Sequence, residues 1–133
     1  MERRAIEALL QRWLNAGIRA GNVEVFDELL LESVRDRSAG QVTYGSEPFK
    51  RRARAVYEAF SNIEARVDEL LIDGDQIAWR WSVTGTHTGA FAGFAATGRR
   101  VTLQGVNFQR LEGARVAEHW TLADTFGLAQ ALR

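Results

Sequence analysis

Two stretches of this chain carry side chains that can move protons. The segment HWTLAD runs from His119 to Asp124, and Asp36 stands between Arg35 and Arg37 in VRDRS. A histidine titrates near neutrality and can give or take a proton there. A carboxylate at the mouth of an apolar cavity has its pKa pushed up and can move protons next to a carbonyl. His119 and Asp124, together with Asp36 on the likeness described below, are the candidate catalytic residues. Other chemistries lack their parts. There is no cysteine, so thiolate nucleophiles, thiolate metal sites and disulfides are excluded. His87 and His119 fit no HExxH pattern, and no metal site is expected. Gly85, Gly89, Gly93 and Gly98 do not form a strand–helix phosphate loop, and no nucleotide cofactor is expected.

Whether the three candidates meet depends on the elements that carry them. Ile6, Leu9, Leu10, Trp13 and Leu14 fall on one face of an amphipathic helix. Asn22 is placed to cap a short second helix with Val25, Phe26, Leu29 and Leu30 inside. Residues 32–45 read as a short strand and a loop, which puts Asp36 on or beside the strand. Ser46, Glu47 and Pro48 open a third helix with Phe49, Ala53, Val56, Tyr57 and Phe60 on its buried face. The period then changes to two. Two strands flank a turn at Asp73-Gly74-Asp75. Ile77, Trp79, Trp81 and Val83 share one face of the second, with Arg80 on the other. A glycine-rich hairpin end (85–100) leads to a strand over 101–111 and, after a turn near Gly113, to a last strand ending in HWTLAD. A short helix closes the chain.

Helices first and a meander after them predict an α+β fold, with the sheet curled around the helices and an apolar cavity between the layers. Centring the last turn on Gly113 pairs Asn107 with His119 and Gly105 with Thr121, all on one face. Val106, Phe108, Trp120 and Leu122 point the other way. His119 and Asp124 face opposite sides of a regular strand. They share a cavity only if the strand bulges or ends first. Asp124 also reads as the cap of the closing helix, and Asp36 as an exposed partner of Arg35 or Arg37.

The 133 residues carry 17 basic and 17 acidic side chains. That size predicts one domain, residues 1–133. The balanced charge gives no reason to expect nucleic acid or an anionic membrane. The cluster Lys50, Arg51, Arg52 and Arg54 reads as a solvated helix face, and His87 as a polar turn residue. No leader peptide or membrane span is read, and the absence of cysteine suits the cytoplasm.

The second half of the chain resembles SnoaL-like polyketide cyclases. The GD turn, RWSVTGTHTG, TGRRV, RLEG and EHWTLADTFGL carry the resemblance. It implies the cone-shaped α+β fold shared with nuclear transport factor 2 and ketosteroid isomerase. It also implies a homodimer and a small apolar aromatic or polyketide-like ligand. Gly105, Asn107 and Thr121 match pocket positions of the family. Its catalytic aspartate falls at Thr121 and the histidine partner at Asn107. Asp36 roughly matches a cavity position that is aspartate in ketosteroid isomerase and asparagine in the cyclases. Trp13, Leu14 and Tyr57 complete the expected substrate-binding set, while Trp79, Trp81 and Trp120 read as core or dimer contacts. The implied reaction is proton transfer and intramolecular aldol closure, with His119 or Asp36 as acid and base. Epoxide opening or isomerisation, and ligand binding without chemistry, remain as alternatives.

Overall fold

The computed structural model describes residues 2–133. Helix α1 (Arg3–Arg12) buries Ile6, Leu9 and Leu10, the stripe its spacing predicts. It then widens into a π-helical segment, Trp13–Arg19, which turns Trp13, Leu14 and Gly17 inward. Such wide turns are rare and often occur at functional sites. Glycine is required at 17 by close approach, since a Cβ there would lie 2.7 Å from the Phe26 ring. Asn22 makes no side-chain cap. The single turn of α2 (Phe26–Leu29) is held by burial of Phe26 and Leu29 instead.

Strand β1 (Leu30–Asp36) carries Asp36 as its last residue, and a short β2 (Thr43–Tyr44) follows. Helix α3 (Glu47–Ala59) has Pro48 in its first turn, as expected. Phe60 leaves the helix and opens β3 (Phe60–Asp73), although it stays buried. β4 (Gln76–His87), β5 (Arg100–Glu112) and β6 (Arg115–Ala123) complete the sheet, and α4 (Thr125–Leu132) closes the chain.

The sheet order is β2-β1-β6-β5-β4-β3. Only β1 and β6 run parallel. The sheet is open, with β2 and β3 as its edges. Pairing of β3 with β4 slips between Ser61 and Glu64 and again between Val67 and Glu69. Bulges of this kind bend and twist a strand, and here they help curl the sheet over α1, α3 and the π-helical segment. The result is the curved α+β architecture that the sequence pattern predicts. Trp79 is 1 % exposed on the inner face, and Arg80 is exposed on the outer face, paired with Glu69.

The last hairpin keeps the expected faces but not the expected partners. Its turn is the two-residue Gly113-Ala114, between the paired Glu112 and Arg115, and a bulge follows at Arg110/Leu111. Together they shift the register by two. Asn107 therefore lies opposite Thr121, His119 opposite Gln109, and Gly105 opposite Ala123. A two-residue slip preserves the alternation of faces, so His119, Asn107 and Thr121 still point inward.

The tight seat of Gly17 sets a test of the π-helical segment. Gly17→Ala should lower stability by about 1–3 kcal/mol, because the buried Phe26 ring must move. Urea unfolding should show a lower midpoint with an unchanged slope.

Candidate functional site

Between the helices and the inner sheet face lies a cavity of about 280 Å³. Trp13 and Leu14 from the π-helical segment, Phe49 from α3, and Trp79 and Trp81 from β4 form much of its apolar wall. Its exposed rim residues include Arg52, Ala55 and Thr125, so the mouth opens between α3 and the start of α4. His119, Asn107 and Thr121 also border the cavity.

His119 is 3 % exposed. Its ring stacks on Trp13 at 5.5 Å and meets the Phe49 ring edge-on at 4.9 Å. Its hydrogen bonds fix where its proton sits. The Trp79 indole can only donate, and it gives its N–H to Gln109 Oε1 at 3.0 Å. The Gln109 amide must then donate from Nε2, which lies 2.9 Å from His119 Nδ1. His119 Nδ1 is thus an acceptor, and the neutral ring carries its proton on Nε2. No protein group among the described residues bonds Nε2. Burial holds the His119 pKa far below its ordinary value, at about 3. The nearby Asp36 carboxylate opposes this and Arg52 reinforces it. At neutral pH, His119 is an N–H donor on an apolar wall.

A second indole orients a second amide. Trp81 Nε1 donates to Asn107 Oδ1 at 3.0 Å, which leaves the Asn107 NH₂ without a protein partner among the described residues. Both indoles reach diagonally across the β4–β5 ladder, from Trp79 to Gln109 and from Trp81 to Asn107. Trp81 needs the space above Gly105, where a Cβ would come within 2.6 Å of the indole.

Asp36 departs from expectation. It is 3 % exposed, pairs with neither Arg35 nor Arg37, and does not line the cavity. Those two arginines pair with Glu118. Asp36 Oδ1 accepts from the backbone N–H and the hydroxyl of Ser38, at 3.0 and 2.6 Å. Its Oδ2 lies 2.8 Å from Arg52 Nη2. Burial alone would raise its pKa, but Ser38 and Arg52 outweigh that, and the carboxyl sits below its ordinary value. It is an ionised anchor, where the sequence suggested a carboxylate with a raised pKa. Ser38 Oγ also accepts the Thr121 N–H at 3.0 Å, which ties the end of β1 to β6.

Asp124 lies just past β6, is exposed, and accepts from Gly127 N–H at 2.8 Å as the cap of α4. No hydrogen bond among the described residues joins His119 to Asp36 or Asp124. Tyr57 is 48 % exposed and packs by Gly21, away from the cavity. Gly105 lies under Trp81 rather than on the cavity wall. Trp79 and Trp81, expected as packing, also form cavity wall.

The basic cluster is not a uniform solvated face. Lys50 is 9 % exposed and bridges Glu24 and Asp27. Arg52 reaches Asp36 and the cavity. His87 is fully buried, with Nδ1 accepting from Thr97 N–H, and it is not a turn residue in solvent. Arg52 and Gln109 are the site residues that sequence reasoning missed. Gln109 was visible two residues from Asn107 on the same face, but a charged helix face gave no sign of Arg52's partner. Among the described residues, no group of three or more His, Cys, Asp or Glu side chains is placed to hold a metal ion.

Residues 8–132 match the family model of SnoaL-like polyketide cyclases. The chain belongs to that family. Several solved structures share its fold at low identity. TsrD from Streptomyces laurentii is 24 % identical, with a TM-score of 0.87 over 99 % of this chain and 97 % of that one. AclR, a putative hydroxylase from Streptomyces galilaeus, is 22 % identical, with a TM-score of 0.85 over 98 % and 97 %. IdmH, a putative polyketide cyclase from Streptomyces antibioticus, is 24 % identical, with a TM-score of 0.80 over 94 % and 96 %. Among curated proteins, none matches this sequence. No helix among the described residues is long and apolar enough to cross a membrane. In this SnoaL-like chain, Thr121 and Asn107, the positions where the resemblance leads one to expect the family's aspartate and histidine, face each other across β5 and β6.

The buried neutral histidine has a pH signature. An unfolded His119 titrates near 6.5 and the folded one far lower. Between these values the unfolded chain binds more protons, so stability present above about pH 6.5 is lost as pH falls. The stabilisation from Asp36, whose pKa is lowered from 3.8, is present above that value and is lost only below it. From about pH 6.5 to 4.5, wild-type stability should fall more steeply than that of His119→Gln. The difference should approach ~1 kcal/mol per pH unit, read from urea unfolding at each pH.

Proposed function

We propose that the cavity binds an apolar, carbonyl-rich ligand of the polyketide type and favours its intramolecular aldol closure. The observation that carries this reading is the neutral imidazole, whose Nε2–H has no protein partner on a wall of indoles and aliphatic groups. A fixed N–H in a dry site stabilises negative charge developing on a carbonyl oxygen better than water does. The apolar wall folds the ligand and keeps reacting carbons close. Asn107 offers a second N–H beside the first.

The catalytic roles differ from those expected of a paired acid and base. Nε2 already carries a proton, and Nδ1 is occupied by Gln109, so His119 serves as a donor to the oxygen and not as a base. No carboxylate lines the cavity. The nucleophilic carbon is an enolate formed by the ligand's own 1,3-dicarbonyl acidity, with its proton passing to water. As the carbon–carbon bond forms, the acceptor carbonyl becomes an alkoxide held by His119, and water returns the proton. Epoxide opening is less well supported, since Arg80 faces outward and both Asp36 oxygens are engaged. Ligand binding without turnover is the second reading, and the lack of a base on the wall favours it.

A panel of aromatic ketones and linear aromatic 1,3-diketones separates these readings. Ketone binding should raise the melting temperature, and His119→Phe should weaken it about fivefold, the worth of roughly 1 kcal/mol for one hydrogen bond. Binding of a matching hydrocarbon should not change. Cyclised product with the wild type alone supports catalysis, and binding without product leaves a carrier. No stabilisation by any member would sink the ligand-site reading.

The same proposal includes a homodimer through the outer sheet face. Phe108 and Leu122 are exposed there, and Phe108 meets Trp120 edge to face at 5.5 Å. Aromatic residues suit such interfaces. Sedimentation at micromolar concentration should show a dimer, and Phe108→Glu should shift it toward monomer.

A further inference from the structure

The groups that give the cavity its polarity are nearly all donors. Nε2–H of His119 and the NH₂ of Asn107 point that way for the reasons given above. The other oxygens on the lining side chains are Asn107 Oδ1, already bonded by Trp81, and the hydroxyls of Thr121 and Thr125. Arg52 also lines the wall, and among the described residues it is the one charged side chain that does so.

Arg52 is placed for more than a structural ion pair. One nitrogen, Nη2, meets Asp36, and no other hydrogen bond or ion pair of Arg52 is present among the described residues. A guanidinium has five N–H donors in a flat fork, so most remain for a ligand. The side chain is 46 % exposed. Its guanidinium carbon lies over the Phe49 ring, 4.9 Å from its centre, which holds the group at the mouth. Asp36 is buried behind it, with its other oxygen taken by Ser38. The positive end of the pair thus faces the cavity. Of the neighbouring cations, Lys50 is committed to Glu24 and Asp27 and Arg54 to Glu47, and Arg51 does not line the cavity.

We propose that Arg52 recognises an anionic oxygen group of the ligand at the cavity mouth, either a carboxylate or the enolate of a 1,3-dicarbonyl. The inference rests on the cavity being the ligand site and narrows the ligand class. The apolar part of the ligand lies inward against Trp13 and Trp81. Its anionic end meets the planar fork, which matches two coplanar oxygens.

Three probes test this by calorimetric titration: 2-naphthoate, its methyl ester, and benzoylacetone. Wild type should bind 2-naphthoate about tenfold more tightly than the ester, the size of a charge-assisted contact. Bound benzoylacetone should show enolate absorbance at a pH where the free compound is still neutral. The double variant Arg52→Gln with Asp36→Asn leaves the buried pair uncharged yet able to hydrogen-bond. It should lose both effects and keep its affinity for the ester. A carboxylate preference alone identifies a carboxylate ligand, and an enolate shift alone identifies a dicarbonyl. Equal binding of acid and ester by wild type, with benzoylacetone titrating as it does in water, overturns the role of Arg52 and leaves the cavity reading standing. Failure of all three probes to bind overturns both.

Discussion

An indole nitrogen can only give a hydrogen bond, and Trp79 is buried where Gln109 is the acceptor it reaches. That one constraint orders the inner wall. It turns the Gln109 amide, which fixes the imidazole tautomer, which leaves a donor N–H at His119 for whatever enters. A buried polar group without a partner is costly, so each link is held by the one before it. The Trp81–Asn107 pair repeats the arrangement two residues along each strand, and Gly105 leaves room for the second indole. A sheet whose pleat put these tryptophans outside would leave the amides free to turn.

The other support is the knot at the end of β1. Ser38 gives two hydrogen bonds to Asp36 and receives one from Thr121, so a short loop ties the one parallel strand pair to the site. The carboxylate stays charged although buried because it is surrounded by donors. An ion pair in such a place is no guarantee of stability. It holds Arg52 in one position across the layer boundary.

Much of this was legible in the sequence. The helical stripe from Ile6 to Leu14, the alternation of Trp79 and Trp81, and the inward set His119, Asn107 and Thr121 all follow from side-chain period. Period is a local property, and local chemistry sets it. Partnership is not local. The cross-strand match of His119 depended on a bulge at Arg110/Leu111 that no residue type announces. Arg52 looked like one more charge on a polar helix face, because its partner lies on β1. Tyr57 was assigned to the cavity by helical spacing, yet it sits half-exposed by Gly21, off the cavity wall. The family resemblance named Asn107 and Thr121 as pocket positions, but it supplied neither their pairing across β5 and β6 nor the hydrogen-bond direction at either.

The amide at position 109 never needs to touch a ligand, yet it decides the chemical sense of the cavity. A glutamate of nearly the same shape would accept from Trp79 with one oxygen and from His119 Nδ1–H with the other. The imidazole would then present a bare nitrogen where it now presents a proton. Donor and base are in this respect two settings of one scaffold, separated by the exchange of an NH₂ for an oxygen behind the histidine. Diversification of chemistry on this wall need not pass through any residue that meets the substrate.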